Sequence, residues 1–143
     1  MKEFKIIDHT ADIGIVAYGK TKREVFINTA KGMFEIIAGE NRNLKEKENF
    51  YDKIKLEAES LEDLLIAWLN ELLYISEVKL VILNKFKIKE LLDYQIKAEV
   101  GGTKINHLSI RIKKEIKAVT YHCLEIKKDE ESGLWRAQVI FDI

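Results

Sequence analysis

From Trp135 onward the chain alternates without a break. Trp135, Ala137, Val139, Phe141 and Ile143 fall on one side, with Arg136, Gln138, Ile140 and Asp142 on the other. A period of two is the mark of a strand with one buried face. The strand is read over residues 134–143. Less regular alternation predicts further strands over residues 3–7, 13–18, 50–58, 79–87, 94–100 and 115–126. Two stretches switch to helical spacing. Val25, Phe26, Ala30, Met33, Phe34 and Ile37 recur at intervals of three and four, as do Leu61, Leu64, Leu65, Trp68, Leu72 and Leu73. The first helix opens at the capping box Thr21-Lys22-Arg23-Glu24, whose threonine oxygen and glutamate satisfy free backbone donors, and Gly39 stops it. The second opens at Ser60-Leu61-Glu62-Asp63 and ends near residues 74–77. Strands outnumber helices and several are joined by short turns. The expected class is α+β: a mainly antiparallel or mixed sheet with two amphipathic helices packed on it.

At 143 residues the chain is read as a single domain, 1–143. Folding should bury roughly 68% of the unfolded surface, enough for a core without staples. With 47% apolar and 34% charged residues, intrinsic disorder is excluded. The chain has no proline, so its loops must be built from Gly, Asn and Asp; residues 8–12, 39–43, 101–102 and 129–133 qualify. The 24 basic and 24 acidic residues cancel, so no global field draws in a polyanion, although a local basic patch remains open. The lone cysteine, Cys123, forms no internal disulfide and excludes Cys-rich zinc motifs, which points to a reducing, cytoplasmic setting. Charge interrupts the N-terminus too often for a signal peptide. The longest apolar run, residues 64–69, is far short of the roughly 18 that a membrane span needs.

Three places could carry chemistry. Asp8-His9-Thr10-Ala11-Asp12 lies between two predicted strands and concentrates two carboxylates, an imidazole and a hydroxyl. Oxygen donors suit Ca²⁺ or Mg²⁺, and His9 widens the choice to Mn²⁺ or Zn²⁺; the same residues also make an ordinary Asx-type turn. The second place is the end, Phe141-Asp142-Ile143, where Asp142 and the terminal carboxylate of Ile143 would join Asp12 in an anionic cage, or simply be hydrated at a strand end. The third is Glu115-Ile116-Lys117-Ala118-Val119-Thr120-Tyr121-His122. Alternation sets Lys117 with Glu115 and Tyr121, as a partner for a carboxylate or phosphate or as a solvated strand residue. His122 has no visible nucleophile to serve, and Cys123 beside it would face the other way. Basic stretches at residues 85–89, 111–117 and 127–128 are interleaved with other residue types, as solvated faces are. Phosphate-loop, dinucleotide, HExxH and GxSxG signatures are absent from the sequence.

Together these segments resemble the archease family. Asp8-His9-Thr10-Ala11-Asp12-Ile13-Gly14-Ile15 is similar to its N-terminal signature. So are Ser60-Leu61-Glu62-Asp63-Leu64-Leu65 with Trp68-Leu69-Asn70-Glu71-Leu72-Leu73-Tyr74, and Glu115–His122 with Trp135 and the terminal Phe141-Asp142-Ile143. The resemblance covers nearly the whole chain in one order. It implies a non-catalytic protein cofactor of the RtcB-type RNA ligase, which joins 3′-phosphate (or 2′,3′-cyclic phosphate) and 5′-hydroxyl RNA ends in tRNA splicing with GTP and Mn²⁺. The cofactor would promote guanylylation of the ligase and support its multiple turnover, meeting tRNA through the ligase, with no DNA or membrane partner. The family's functional residues fall on Asp12, Asp142 and Ile143 as a divalent-metal site for Ca²⁺, with Mg²⁺ or Mn²⁺ as alternatives. The isoleucine would act through its terminal carboxylate or backbone oxygen. Lys117 falls on an essential basic residue beside that site, with Asp8 and His9 as possible outer supports. A second reading is a metal-dependent tRNA-binding or chaperone-like module acting directly on RNA. It predicts salt-sensitive tRNA binding without ligase, where the activator reading predicts little tRNA affinity alone.

Overall fold

The alternating segments pair into two antiparallel sheets, and the helical segments lie between them. The computed structural model describes residues 3–8, 11–39, 49–105 and 112–143. His9 and Thr10 of the first candidate loop, and residues 40–43 of the second, lie outside them. In chain order the elements are β1 (Phe4–Asp8), β2 (Asp12–Gly19), α1 (Lys22–Ala38), β3 (Phe50–Glu57), α2 (Leu61–Lys79), β4 (Val81–Leu91), β5 (Gln95–Lys104), β6 (Ala118–Lys128) and β7 (Trp135–Asp142). One sheet has the order β1-β2-β7-β6 and the other β3-β5-β4.

The α+β class is as expected, but the strands divide between two sheets where a single covered sheet was the expectation. The helices show why. α1 packs on β1, β2 and β7 of one sheet and on β4 of the other; α2 packs on β6 and on β3, β4 and β5. A helix buried from two sides needs apolar residues beyond one stripe. α1 accordingly buries Thr29, Gly32 and Ile36 along with the predicted set. Trp68 of α2 is fully buried, and its indole N–H donates to the Phe26 carbonyl of α1 at 3.0 Å.

Both helix starts follow the sequence. Thr21 accepts from the Glu24 amide, and Ser60 from the Asp63 amide. Gly39 ends α1 at φ 72°. α2 runs past residue 77 to Lys79 and ends on Leu80 at φ 53°, so no glycine marks its stop. The Ser76 hydroxyl donates to the Val81 carbonyl at 2.6 Å and fixes the exit into β4.

Two other expectations are corrected. Gly101 and Gly102 lie inside β5 and are not a loop. A Cβ on Gly102 would stand 2.1 Å from the Ile82 carbonyl oxygen, so glycine serves close strand approach here and not a turn. Regular alternation across residues 115–126 also fails. β6 begins at Ala118, and its register jumps between Thr120, opposite Ile140, and Glu125, opposite Gln138. Cys123 sits in this bulge at φ 54°, held by a hydrogen bond from the Gln138 side-chain amide to its carbonyl at 3.1 Å.

The 129–133 turn forms as read. The Gly133 amide donates to the Asp129 carbonyl, Gly133 adopts φ 72°, and the Asp129 carboxylate accepts from the Ser132 hydroxyl and the Glu131 amide. The Ser132 bond, first among these contacts, holds the Asp129 carboxyl below its usual range. A lowered folded-state pKa means a contribution present above the ordinary aspartate range and lost as pH falls through the folded value. The β6–β7 turn should therefore loosen in acid before the sheet does. The exchange protection factor of the Glu131 amide should fall as pH drops through the lowered Asp129 value, and Asp129→Asn should abolish that pH dependence.

Candidate metal centre

β2 and β7 come from opposite ends of the chain and lie side by side, with Asp12 directly opposite Asp142. Their alternation places Ile13, Ile15 and Ala17 of β2 and Ala137, Val139 and Phe141 of β7 in the core. Asp12 and Asp142 therefore share the other face, at the end of the sheet. Directly opposed residues in an antiparallel pair have Cα atoms about 4.5–5.5 Å apart, and like charges placed so are destabilising.

One oxygen makes the case specific. Asp12 Oδ1 is buried and has no hydrogen-bond partner among the described residues. A buried carboxylate oxygen left unpaired is costly, and a hard cation is the partner that also cancels the repulsion from Asp142. Among the described residues no three His, Cys, Asp or Glu side chains converge as a metal cluster, so side chains of these types alone do not make a complete site. Ile143 adjoins the pair. It follows Asp142 directly, and its half-buried side chain packs against the core.

Lys117 also reaches this corner. Its backbone N–H donates to the Asp142 carbonyl at 2.8 Å, and Ala118 pairs with Asp142 across β6 and β7. The Lys117 side chain is exposed, and no ion pair ties it down among the described residues. Three strand ends thus bring the backbones of Asp12, Asp142, Ile143 and Lys117 together, with Ala118 and not Lys117 on the face of Asp142.

Asp8 is placed elsewhere. It pairs with Ile13, so its side chain shares the core-side face and not that of Asp12. There it lines a cavity of ≈ 320 Å³ with Glu35, Gly39, Lys113 and Lys114. The amides of Lys113 and Lys114 both donate to the Ile37 carbonyl at the end of α1, at 2.6 and 3.2 Å. Sequence reasoning did not single out these two lysines individually; the basic stretch 111–117 was the signal for them. His122 and Cys123 are exposed on the β6 bulge. Beside them, the Tyr121 hydroxyl donates to Asp63 Oδ1 at 3.0 Å and ties β6 to the first turn of α2.

Comparison with known proteins agrees with this fold. The model of the Archease protein family (MTH1598/TM1083) matches residues 4–143. Protein archease of Methanosarcina mazei is 42% identical over 146 residues, covering 99% of this chain and 97% of the relative. Protein archease of Pyrococcus abyssi is 36% identical over 146 residues, with both chains covered at 100%. The solution structure of Methanobacterium thermoautotrophicum protein 1598 superposes with a TM-score of 0.81 at 34% identity, over 100% of both chains. A Thermotoga maritima crystal structure, described as an archease and possible chaperone, shares the fold at a TM-score of 0.61 and 23% identity, over 97% of this chain and 96% of that one. No helix among the described residues is long and apolar enough to cross a membrane.

Proposed function

This chain belongs to the archease family, and from that premise we propose that it activates an RtcB-type RNA ligase in the cytoplasm. It does so through the acidic corner of β2 and β7. The observation that carries this reading is the cross-strand pair Asp12–Asp142 with its orphaned Asp12 oxygen. Two strands from opposite ends of the chain have no structural need to bring like charges together.

In this reading Asp12, Asp142 and the backbone oxygen of Ile143 hold a divalent cation. The all-oxygen donor set suits Ca²⁺, with Mg²⁺ or Mn²⁺ as alternatives. The cation supplies positive charge that neutralises the two carboxylates. Lys117, exposed and without an ion pair among the described residues, has its backbone at this corner and would swing its ammonium to a phosphate or carboxylate of the ligase. The two carboxylates are held by strand pairing and Ile143 by core packing, so the acidic part of the corner is rigid. It performs no bond-making step itself. It promotes guanylylation of the ligase with GTP and Mn²⁺, and so its turnover on RNA ends bearing a 3′-phosphate or 2′,3′-cyclic phosphate and a 5′-hydroxyl; tRNA is met through the ligase.

Multiple-turnover ligation of such ends by substoichiometric ligase tests this. Wild type should raise the number of turnovers per ligase well above one. Lys117→Ala should remain folded, since its side chain is exposed, and should lose most of the gain. Equal product with and without the wild-type chain would reject the activator role.

A further inference from the structure

The three-stranded sheet has one face against the helices and one face open. Ile54, Ile88, Ile96, Ala98 and Val100 fill the inner side. By alternation and register the open side carries Lys53 and Lys55 from β3, Lys97 from β5 and Lys87 from β4, with Lys89 joining at the β4 register shift. Lys53, Lys55, Lys89, Lys97 and Glu99 border a shallow depression of ≈ 300 Å³.

The acids on this face are largely spent. Glu99 pairs with Lys89 at 3.5 Å, and Glu90 with Lys97 at 3.7 Å. Glu57 stands at the far end, opposite Gln95. Lys53, Lys55 and Lys87 have no ion pair among the described residues. Lys53 and Lys87 flank Glu99 on the two neighbouring strands, and Lys55 lies two residues along from Lys53. A chain of zero net charge thus gathers an excess of lysine over glutamate on one face, with Lys87 as well as Lys89 acting on Glu99.

An aromatic ring completes the surface. Tyr51 is 56% exposed and stands opposite Gly101, which has no side chain to cover it. Burial and the nearby Glu99 carboxylate raise the Tyr51 hydroxyl above its usual range, so the tip of the ring lies toward Glu99. Lysines that track a phosphate backbone, beside a ring on which bases stack, form the ordinary platform for single-stranded nucleic acid. Three strands span only about 9.6 Å between the outer two, the width of one strand and not of a duplex.

We propose that the open face of β3-β5-β4 binds single-stranded RNA without sequence preference, through Lys53, Lys55 and Lys87, with Tyr51 as a stacking ring. The choice of RNA over DNA rests on the ligase reading above; the lysine and aromatic chemistry does not. An activator so built holds RNA itself, against the expectation of little affinity drawn from the family resemblance. The face lies on the other sheet from the acidic corner, so the two activities separate by mutation.

The test is fluorescence anisotropy of a labelled single-stranded oligoribonucleotide of mixed sequence with the full chain, without ligase, across a salt series. Binding should be measurable at low salt. Three phosphate contacts predict a log–log salt slope of about −2. The triple variant Lys53→Gln/Lys55→Gln/Lys87→Gln should remove binding and its salt dependence. Lys127→Gln/Lys128→Gln, on β6, should leave both unchanged. Tyr51→Ala should weaken binding about tenfold with the slope kept. Circular dichroism should find all variants folded, since every altered side chain points outward. No binding at low salt, or equal binding by the triple variant, would overturn the proposal. So would polyglutamate binding as tightly as RNA with Tyr51→Ala indifferent, which would assign the face to an acidic protein. None of these results bears on ligase activation, which is read separately.

Discussion

Saturating Ca²⁺ should raise the thermal midpoint of the wild-type chain by about 5–10 °C, and Asp12→Asn should be indifferent to it. A ligand at 100 times its dissociation constant stabilises by about 2.7 kcal/mol, and a domain of this size moves a few degrees per kcal/mol. The physical basis is the carboxylate pair of β2 and β7. Asp12 and Asp142 stand opposite each other across the strands, and Asp12 Oδ1 is buried without a partner among the described residues. Asn at position 12 removes the charge, so the metal-free variant should be at least as stable as metal-free wild type while losing the response to the ion. Differential scanning calorimetry with chelator and then with Ca²⁺, Mg²⁺ or Mn²⁺ reads both effects. An equal shift in wild type and variant would move the cation elsewhere.

Trp68→Ala should be the most damaging substitution in the core, at about 3–5 kcal/mol. Trp68 is the largest fully buried side chain, seated where α2 meets α1, with Phe86 of β4 edge-on at 6.4 Å between ring centroids. Removing it opens a cavity between both helices and the three-stranded sheet, and it deletes the indole hydrogen bond to the Phe26 carbonyl. Trp68→Phe keeps most of the packing and loses that bond, so it should cost about 1–2 kcal/mol. Urea unfolding followed by circular dichroism checks the order. A cost under 1 kcal/mol for Trp68→Ala would mean that the layers close over the gap.

Much of this fold was legible because its signals are local. The capping residues Thr21 and Ser60, the stop at Gly39 and the alternation of β7 each lie within a few neighbouring positions. What escaped was set by contacts the chain makes at a distance. Gly102 and the turn-forming Gly133 are the same letter, and only the approach of Ile82 tells them apart. The end of α2 carries a leucine in a left-handed conformation, so composition held no stop signal. The β6 bulge passes unseen because Thr120 to Leu124 still reads as strand until Gln138 fixes the register.

The candidate site divides the same way. The parity of β7 set Asp142 on the face away from the core, as the sequence implied. Nothing in either segment says that β2 pairs with β7, and that pairing is what sets two aspartates distant in sequence opposite each other. Asp8 shows the converse. It is close to Asp12 in sequence but pairs with Ile13, and lies on the opposite side of the sheet.

The central claim is that the acidic corner drives ligase activation. The most direct measurement is single-turnover guanylylation of the ligase with GTP and Mn²⁺, alone and with each form of this chain. Wild type should accelerate the reaction, Asp12→Ala should not, and the Lys53→Gln/Lys55→Gln/Lys87→Gln variant should accelerate as wild type does. A folded Asp12→Ala protein that accelerates guanylylation as fast as wild type would contradict the account.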